Sequence, residues 1–175
     1  RPGMRELVLR YLALTAAVAV GGAALGLAHQ PIHYGFLVWG AFLALFWALE
    51  DAGILMAFAL GTTFGATANA AGMPGILAFI TKFLKVGPLE GFAWFSVLCH
   101  LSGLKWGVAA AAAAVVPPGP RRRVALVCAL VASERYLPSM FPNELSMTVL
   151  DFPAMVQSTS VFGPGALCLL IVAAN

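Results

Sequence analysis

Two charged residues stand at matching depths in two neighbouring apolar stretches. Lys105 lies about 11 residues before the end of one stretch, and Glu134 lies about 10 residues after the start of the next. At a rise of about 1.5 Å per residue both would lie about 15 to 17 Å into a bilayer, where an unpaired charge costs about 2.5 kcal/mol or more. We therefore predict a contact between them, direct or through one water, with a structural rather than catalytic role. The alternative is that Arg135 or a backbone carbonyl satisfies Glu134 while Lys105 extends toward the interface.

The histidines and cysteines form no recognisable metal or nucleophile motif. His29 and His33 have the four-residue spacing that can bind a metal from one helical face. Pro31 lies between them, however, and no cysteine or carboxylate nearby completes a ligand set. Cys99 and His100 are adjacent, and adjacent side chains on a helix point about 100° apart. We predict no metal, no cofactor and no catalytic residue in this sequence.

The composition is that of an integral membrane protein. Of the 175 residues, 61% are hydrophobic and only 10% are charged, whereas a soluble domain is usually about a quarter charged. Apolar runs of about 20 residues cross a bilayer as helices, and the alternating pattern of a membrane barrel is absent. We predict an all-α fold, a polytopic membrane helix bundle that forms one domain over residues 1–175.

Six transmembrane helices and one interfacial helix are predicted from the apolar runs. The spans are placed near residues 7–28, 34–49, 54–71, 91–116, 124–137 and 154–174. Small residues in the first and third spans favour close packing, and Gly163-Pro164-Gly165 predicts a kink in the sixth. In residues 76–86 the apolar side chains share one arc of a helical wheel and the lysines lie on the other. This pattern indicates an amphipathic helix on the outer membrane surface, the alternative being a short buried helix with extended lysines.

The basic residues predict the orientation of the chain. Lysine and arginine concentrate in short cytoplasmic loops. With the N-terminus in the cytoplasm, six arginines lie on that side, namely Arg1, Arg5, Arg10, Arg121, Arg122 and Arg123. Lys82 and Lys85 then face outward, together with residues 138–153. We interpret the net charge of +3 as a topology signal, so membrane lipid is the predicted partner and nucleic acid is not.

Residues 133–175 carry an ordered series of motifs. The series consists of Ser133-Glu134-Arg135-Tyr136, then Phe141-Pro142-Asn143, then Gln157 to Gly165, and finally Asn175 after an apolar run. It resembles the membrane domain of the apolipoprotein N-acyltransferases, in which a helix with glutamate and arginine precedes a Gly-Phe-Pro-Trp-like outer loop and a Gln-x-x-x-x-x-Gly-x-x-Gly segment. The short first hairpin, the glycine-rich third span and Met73-Pro74-Gly75 are also similar, so the resemblance covers most of the chain.

The resemblance implies that the outer end of the bundle handles lipid. It gives five candidates for a lipid-binding gate, Phe141, Pro142, Asn143, Gln157 and Asn69. In the family, catalysis belongs to a Glu-Lys-Cys set in an outer nitrilase-like domain that follows a seventh span. The resemblance therefore implies an acyltransferase whose catalytic residues lie outside this sequence, and these 175 residues alone are expected to lack acyl-transfer activity.

Three functions follow as hypotheses. The first is the membrane portion of an apolipoprotein N-acyltransferase-like protein of the bacterial inner membrane, which would pass an acyl chain from phospholipid to the amino terminus of a lipoprotein. The second is a non-catalytic membrane subunit that retains the fold and packs against partner chains or lipid. Asn143 and Pro138 motivate it, because the family has tryptophan and arginine near these positions. A small transporter that uses Lys105 and Glu134 is the third.

Overall fold

A computed structural model describes residues 3–30, 34–138 and 144–175. Every regular element within these ranges is a helix, which confirms the predicted all-α bundle. The α-helices are α1 (Met4–Ala28), α2 (Val38–Ala41), α3 (Leu43–Leu49), α4 (Ile54–Gly72), α5 (Pro74–Leu84), α6 (Pro88–Ala113), α7 (Pro120–Tyr136) and α8 (Pro153–Ala173). Two 3-10 helices, Gly35–Leu37 and Leu145–Val149, lie in the connections.

Four of the described helices, α1, α4, α6 and α8, are long and apolar enough to cross a membrane. The other two predicted spans take different forms. The second is divided between a 3-10 helix, α2 and α3, and the fifth is α7, which has 17 residues and begins with a proline and three arginines. A spanning helix needs about 20 apolar residues. Neither of these two segments forms an uninterrupted apolar helix of that length. Four of the six predicted spans thus correspond to helices of full length, the second to a divided segment and the fifth to one short helix.

Glycines let the long helices approach closely. α4 packs along both α1 and α6. A Cβ on Gly65 of α4 would lie 2.7 Å from Cα of Gly103 in α6, and a Cβ on Gly26 of α1 would lie 2.7 Å from the amide nitrogen of Gly72. Backbone atoms cannot move aside as a flexible side chain can, so these positions require glycine at the present helix separation. The small residues predicted as packing surfaces serve that purpose.

Contacts between helix ends define one end of the bundle. Gln30, just after α1, donates hydrogen bonds of 3.1 and 2.6 Å to the carbonyl oxygens of Ala71 and Gly72 at the end of α4. The helices α1 and α4 therefore run parallel. Gly35 packs against the backbone of Thr148, so the 3-10 helix Leu145–Val149 lies at that same end, and so does α5, which begins directly after α4.

An aromatic cluster fills the centre of the bundle. The ring centroids of Phe42, Phe64 and Trp106 are 5.2 to 5.8 Å apart, and Phe42 and Phe64 are completely buried. Such tilted aromatic pairs add about 0.5–1.5 kcal/mol each beyond the area they bury. The cluster joins α4, α6 and the region between α2 and α3, and Lys105 directly precedes Trp106 on α6.

The helix α8 turns sharply at Gly163, which confirms the predicted kink. Gly163 has φ +77° and ψ 164°, a conformation that glycine adopts readily and other residues do not. Pro164 follows and has no N–H to continue the hydrogen-bond ladder. The buried residues of α8, Leu167, Cys168, Ile171 and Val172, all follow the turn. The turn therefore lets the second half of α8 pack into the bundle while the first half remains mostly exposed.

Candidate functional site

A buried ion pair joins α6 to α7. Lys105 Nζ lies 2.6 Å from Glu134 Oε1, and the two side chains are only 8% and 7% exposed. Each of these charges costs several kcal/mol to remove from water, and their mutual attraction offsets that cost only in close contact. The structure thus brings together the two residues that depth counting placed side by side. Arg135, the alternative partner of Glu134, is exposed.

Glu134 also holds the chain that follows α7. Its Oε2 accepts a hydrogen bond of 3.1 Å from the backbone N–H of Leu145. Its Oε1 has no aligned hydrogen-bond donor in the described part of the structure, so the charge of Lys105 compensates it. The Lys105 ammonium also lies 5.4 Å from the centroid of the Trp106 ring, within the range of a cation–π interaction. One carboxylate therefore links α6, α7 and the 3-10 helix Leu145–Val149.

Asn175 inserts its side-chain amide into the backbone of the divided second span. Its Oδ1 accepts a hydrogen bond from the N–H of Phe42 (3.1 Å), and its Nδ2 donates to the carbonyl oxygens of Val38 (3.1 Å) and Ile171 (2.9 Å). In an uninterrupted helix the Phe42 N–H would bond to the Val38 carbonyl. A side chain that occupies this ladder accounts for the break between α2 and α3. It also ties the end of α8 to the aromatic cluster.

A cleft of about 650 Å³ opens beside the ion pair, between α7 and the second half of α8. Pockets that bind small molecules are usually about 300–1,000 Å³. The cleft is lined by side chains of both helices and of the segment before the second 3-10 helix, namely Cys128, Val131, Ala132, Glu134, Arg135, Tyr136, Glu144, Pro164, Gly165, Ala166, Cys168 and Leu169. Its walls are mainly apolar. Its charged residues, Glu134, Arg135 and Glu144, come from the end of α7 and the segment after it.

Comparison with known families shows which protein family this chain belongs to. Residues 21–175 match the family model described as the apolipoprotein N-acyltransferase N-terminal domain. The chain belongs to this family. Searches of curated proteins and of solved structures found no match. Membership agrees with the all-α architecture and with the four helices long and apolar enough to cross a membrane.

Of the five gate candidates in this N-acyltransferase N-terminal domain, the structure describes two, Asn69 and Gln157. Phe141, Pro142 and Asn143 lie outside the described residues. Asn69 donates a hydrogen bond of 2.8 Å to the Gly65 carbonyl of its own helix, and Gln157 is exposed on the first half of α8. The described lining of the cleft includes neither of these two residues.

The two described histidines of the N-acyltransferase domain bond within their own helices, and His100 Nδ1 lies 2.8 Å from the Ser96 carbonyl oxygen. His29 Nδ1 lies 2.9 Å from the Leu25 carbonyl oxygen one turn earlier, and His33 lies outside the described residues. His100 is exposed while Cys99 is buried, so their side chains point apart as predicted. In residues 3–30, 34–138 and 144–175, no three side chains of the metal-ligating types converge.

Sequence reasoning missed the roles of Asn175 and of the cleft. An asparagine at the end of an apolar helix has the same appearance whether it caps that helix or reaches another one. The cleft depends on how far the second half of α8 leans from α7, which the Gly163-Pro164 pair does not specify. The small residues Ala132, Gly165 and Ala166, which leave the space open, were a weak signal for it.

Replacing Asn175 tests its insertion into the second span of the N-acyltransferase domain. We expect Asn175→Leu to lower the free energy of unfolding in mixed micelles by about 1–3 kcal/mol, because the buried N–H of Phe42 and carbonyl of Val38 lose their partner. Asn175→Asp retains the oxygen that accepts from the Phe42 N–H and should therefore lose less stability than Asn175→Leu. Asn69→Leu is the matched control, since within the described residues the Asn69 side chain bonds to a carbonyl of its own helix. Equal losses in Asn175→Leu and Asn69→Leu would contradict the insertion.

Proposed function

We propose that this chain is the membrane portion of an apolipoprotein N-acyltransferase-like enzyme of the bacterial inner membrane, with its N-terminus in the cytoplasm. The reaction is transfer of an acyl chain from phospholipid to the amino terminus of a lipoprotein. The chemistry is assigned to a nitrilase-like domain outside these residues. The family match over residues 21–175 is the observation that carries the proposal, and the cleft between α7 and α8 supports it.

The cleft suits a phospholipid because apolar residues line it between the helices and charged residues lie toward one end. Val131, Ala132 and Leu169 present apolar surface, and burying each methylene of a ligand against such surface contributes about 0.8 kcal/mol. Arg135 and Glu144 lie toward the end where α7 stops. A phospholipid would therefore place its acyl chain between the helices and its headgroup near these two charged residues.

Filling the cleft tests this placement. A phenylalanine side chain at position 132 would displace roughly three methylenes of a bound acyl chain. We therefore expect Ala132→Phe to lower the affinity of the cleft for the phospholipid by at least about tenfold. The measurement is photo-crosslinking of the purified protein with a phospholipid that carries a diazirine on its acyl chain, followed by identification of the labelled peptides. Val124→Phe is the control, because Val124 is exposed on α7 and does not line the cleft. Unchanged labelling of α7 and α8 in Ala132→Phe would refute acyl binding here.

The reaction itself is tested in membranes that carry the protein as its gene encodes it. A labelled acyl chain on phospholipid is offered together with a diacylated lipopeptide, and N-acylation is compared between these membranes and membranes from a strain with the gene deleted. We expect deletion to abolish transfer. Unchanged transfer, with the protein recovered as a stoichiometric part of a larger assembly, would favour the non-catalytic subunit.

A further inference from the structure

We infer that α5 carries a binding surface for the headgroups of anionic phospholipids. This α5 surface consists of Phe79, Lys82, Phe83 and Lys85. The lysines bind lipid phosphate groups, and the two aromatic rings enter the adjoining acyl region. The inference does not depend on acyl transfer, because it uses residues far along the chain from the cleft between α7 and α8.

The position of α5 places it at a membrane boundary. It follows α4 and precedes α6, and both of those helices are long and apolar enough to cross a membrane. The chain turns into α5 at Met73, which has φ −135° and ψ 55°, and leaves it at Lys85, which has φ 54° and ψ 37°. A helix of 11 residues between the adjacent ends of two spanning helices lies where headgroups meet acyl chains.

Packing fixes which face of α5 is free. Ile80 is only 5% exposed and packs in a cluster with Ala66, Phe95 and Cys99. On the outward side, the Phe79 and Phe83 rings stack at 5.1 Å with an interplanar angle of 13°. These rings nevertheless remain 61% and 70% exposed. Stacked aromatic rings left this open are suited to the apolar side of a lipid interface, where aromatic residues are enriched.

The positive charge beside these rings determines which lipid headgroup is preferred. Lys82 and Lys85 are exposed, and neither contacts a carboxylate among the described residues. Glu90 on the first turn of α6 is the nearest acidic residue along the chain and is exposed as well, so two positive charges outnumber one negative. A lysine near an anionic membrane surface contributes about fivefold in affinity. Basic side chains beside inserted aromatic rings therefore favour anionic over zwitterionic headgroups.

A probe on α5 tests the inference directly. Ala78 is exposed, and Ala78→Cys can be labelled with a fluorescent donor in a Cys128→Ser background, since Cys99 and Cys168 are buried. The full chain is placed in phosphatidylcholine nanodiscs that contain an acceptor on the headgroup of either phosphatidylglycerol or phosphatidylcholine at equal density. We expect the local concentration of the anionic acceptor to exceed that of the zwitterionic one by at least about fivefold at low salt, and to fall as salt is added.

Variants separate the lysines from general membrane proximity. Lys82→Gln with Lys85→Gln should remove the difference between the two acceptors, and replacement of both lysines by arginine should retain it. Phe79→Ala with Phe83→Ala should reduce quenching of the donor by acyl-brominated lipid. Arg121→Gln, at the opposite end of the bundle, should change nothing at this probe.

Two results would overturn the inference. One is equal transfer to both acceptors, or a preference that the glutamine variants retain. The other is strong transfer between donor and acceptor placed on Ala78→Cys of two copies of the chain in one nanodisc, which would show that a second copy covers α5. Neither result bears on photo-crosslinking in the cleft, so a failure here is distinguishable from a failure of the proposed function.

Discussion

Glu134→Gln is expected to lower the free energy of unfolding by about 3–5 kcal/mol, measured by denaturation in mixed micelles. Glutamine retains an acceptor for the Leu145 N–H but leaves the ammonium of Lys105 without a countercharge at 8% exposure. Lys105→Met should cost a similar amount, because the unpaired charge is then the carboxylate. The loss in either single variant comes from a stranded charge rather than from the removal of a favourable contact.

The double variant distinguishes these two causes. Lys105→Met with Glu134→Gln leaves no charge in the site, and we expect it to recover most of the stability that either single change removes. The ion pair of Arg123 and Glu50 provides the matched control, since its atoms are also 2.6 Å apart but its side chains are 63% and 41% exposed. Glu50→Gln should therefore cost less than about 1 kcal/mol. A Glu134→Gln variant no less stable than Glu50→Gln would show that burial does not decide the worth of the pair.

The pair of Lys105 and Glu134 shows which features of a membrane protein can be predicted from its sequence. The rise per residue is the same in every α-helix, so counting from a shared loop compares depths without knowledge of the packing. The same regularity located α1, α4, α6 and α8 from apolar length. It also located the kink, because Gly163 and Pro164 disrupt a helix by local geometry alone.

Contacts between distant parts of the chain were beyond that reasoning. The division of the second span depends on Asn175, which is 133 residues away from Phe42 in the sequence. No sequence pattern near Phe42 indicates this division. The sequence pattern placed Lys82 and Lys85 apart from the apolar arc of α5, but only the packing of Ile80 shows which aromatic side chains remain outside. Where a feature depends on which surfaces meet, a single sequence supplies candidates and the fold selects among them.

The three arginines in the first turn of α7 show the same limit. Counting for topology treats Arg121, Arg122 and Arg123 alike, yet only Arg122 is buried, at 8% exposure. Its guanidinium donates hydrogen bonds of 2.7 to 3.2 Å to five carbonyl oxygens, those of Val116, Leu49, Glu50, Ala52 and Ala114. These carbonyls lie in and just after the C-terminal ends of α3 and α6, where helices leave backbone acceptors unpaired and carry partial negative charge.

Arg122→Ala is therefore expected to lower the free energy of unfolding by about 3–5 kcal/mol, since five carbonyl acceptors, three of them in buried hydrogen bonds, lose a charged donor. Arg122→Lys should recover only part of this, because an ammonium cannot reach both helix ends as the planar guanidinium does. Arg121→Ala, at an exposed position, should stay within about 0.5 kcal/mol of the parent. Unfolding in mixed micelles gives these values, and protease accessibility of the N-terminus in vesicles reports orientation. A purely topological role for Arg122 predicts that lysine restores both properties, whereas the geometry predicts that lysine restores orientation and leaves stability reduced.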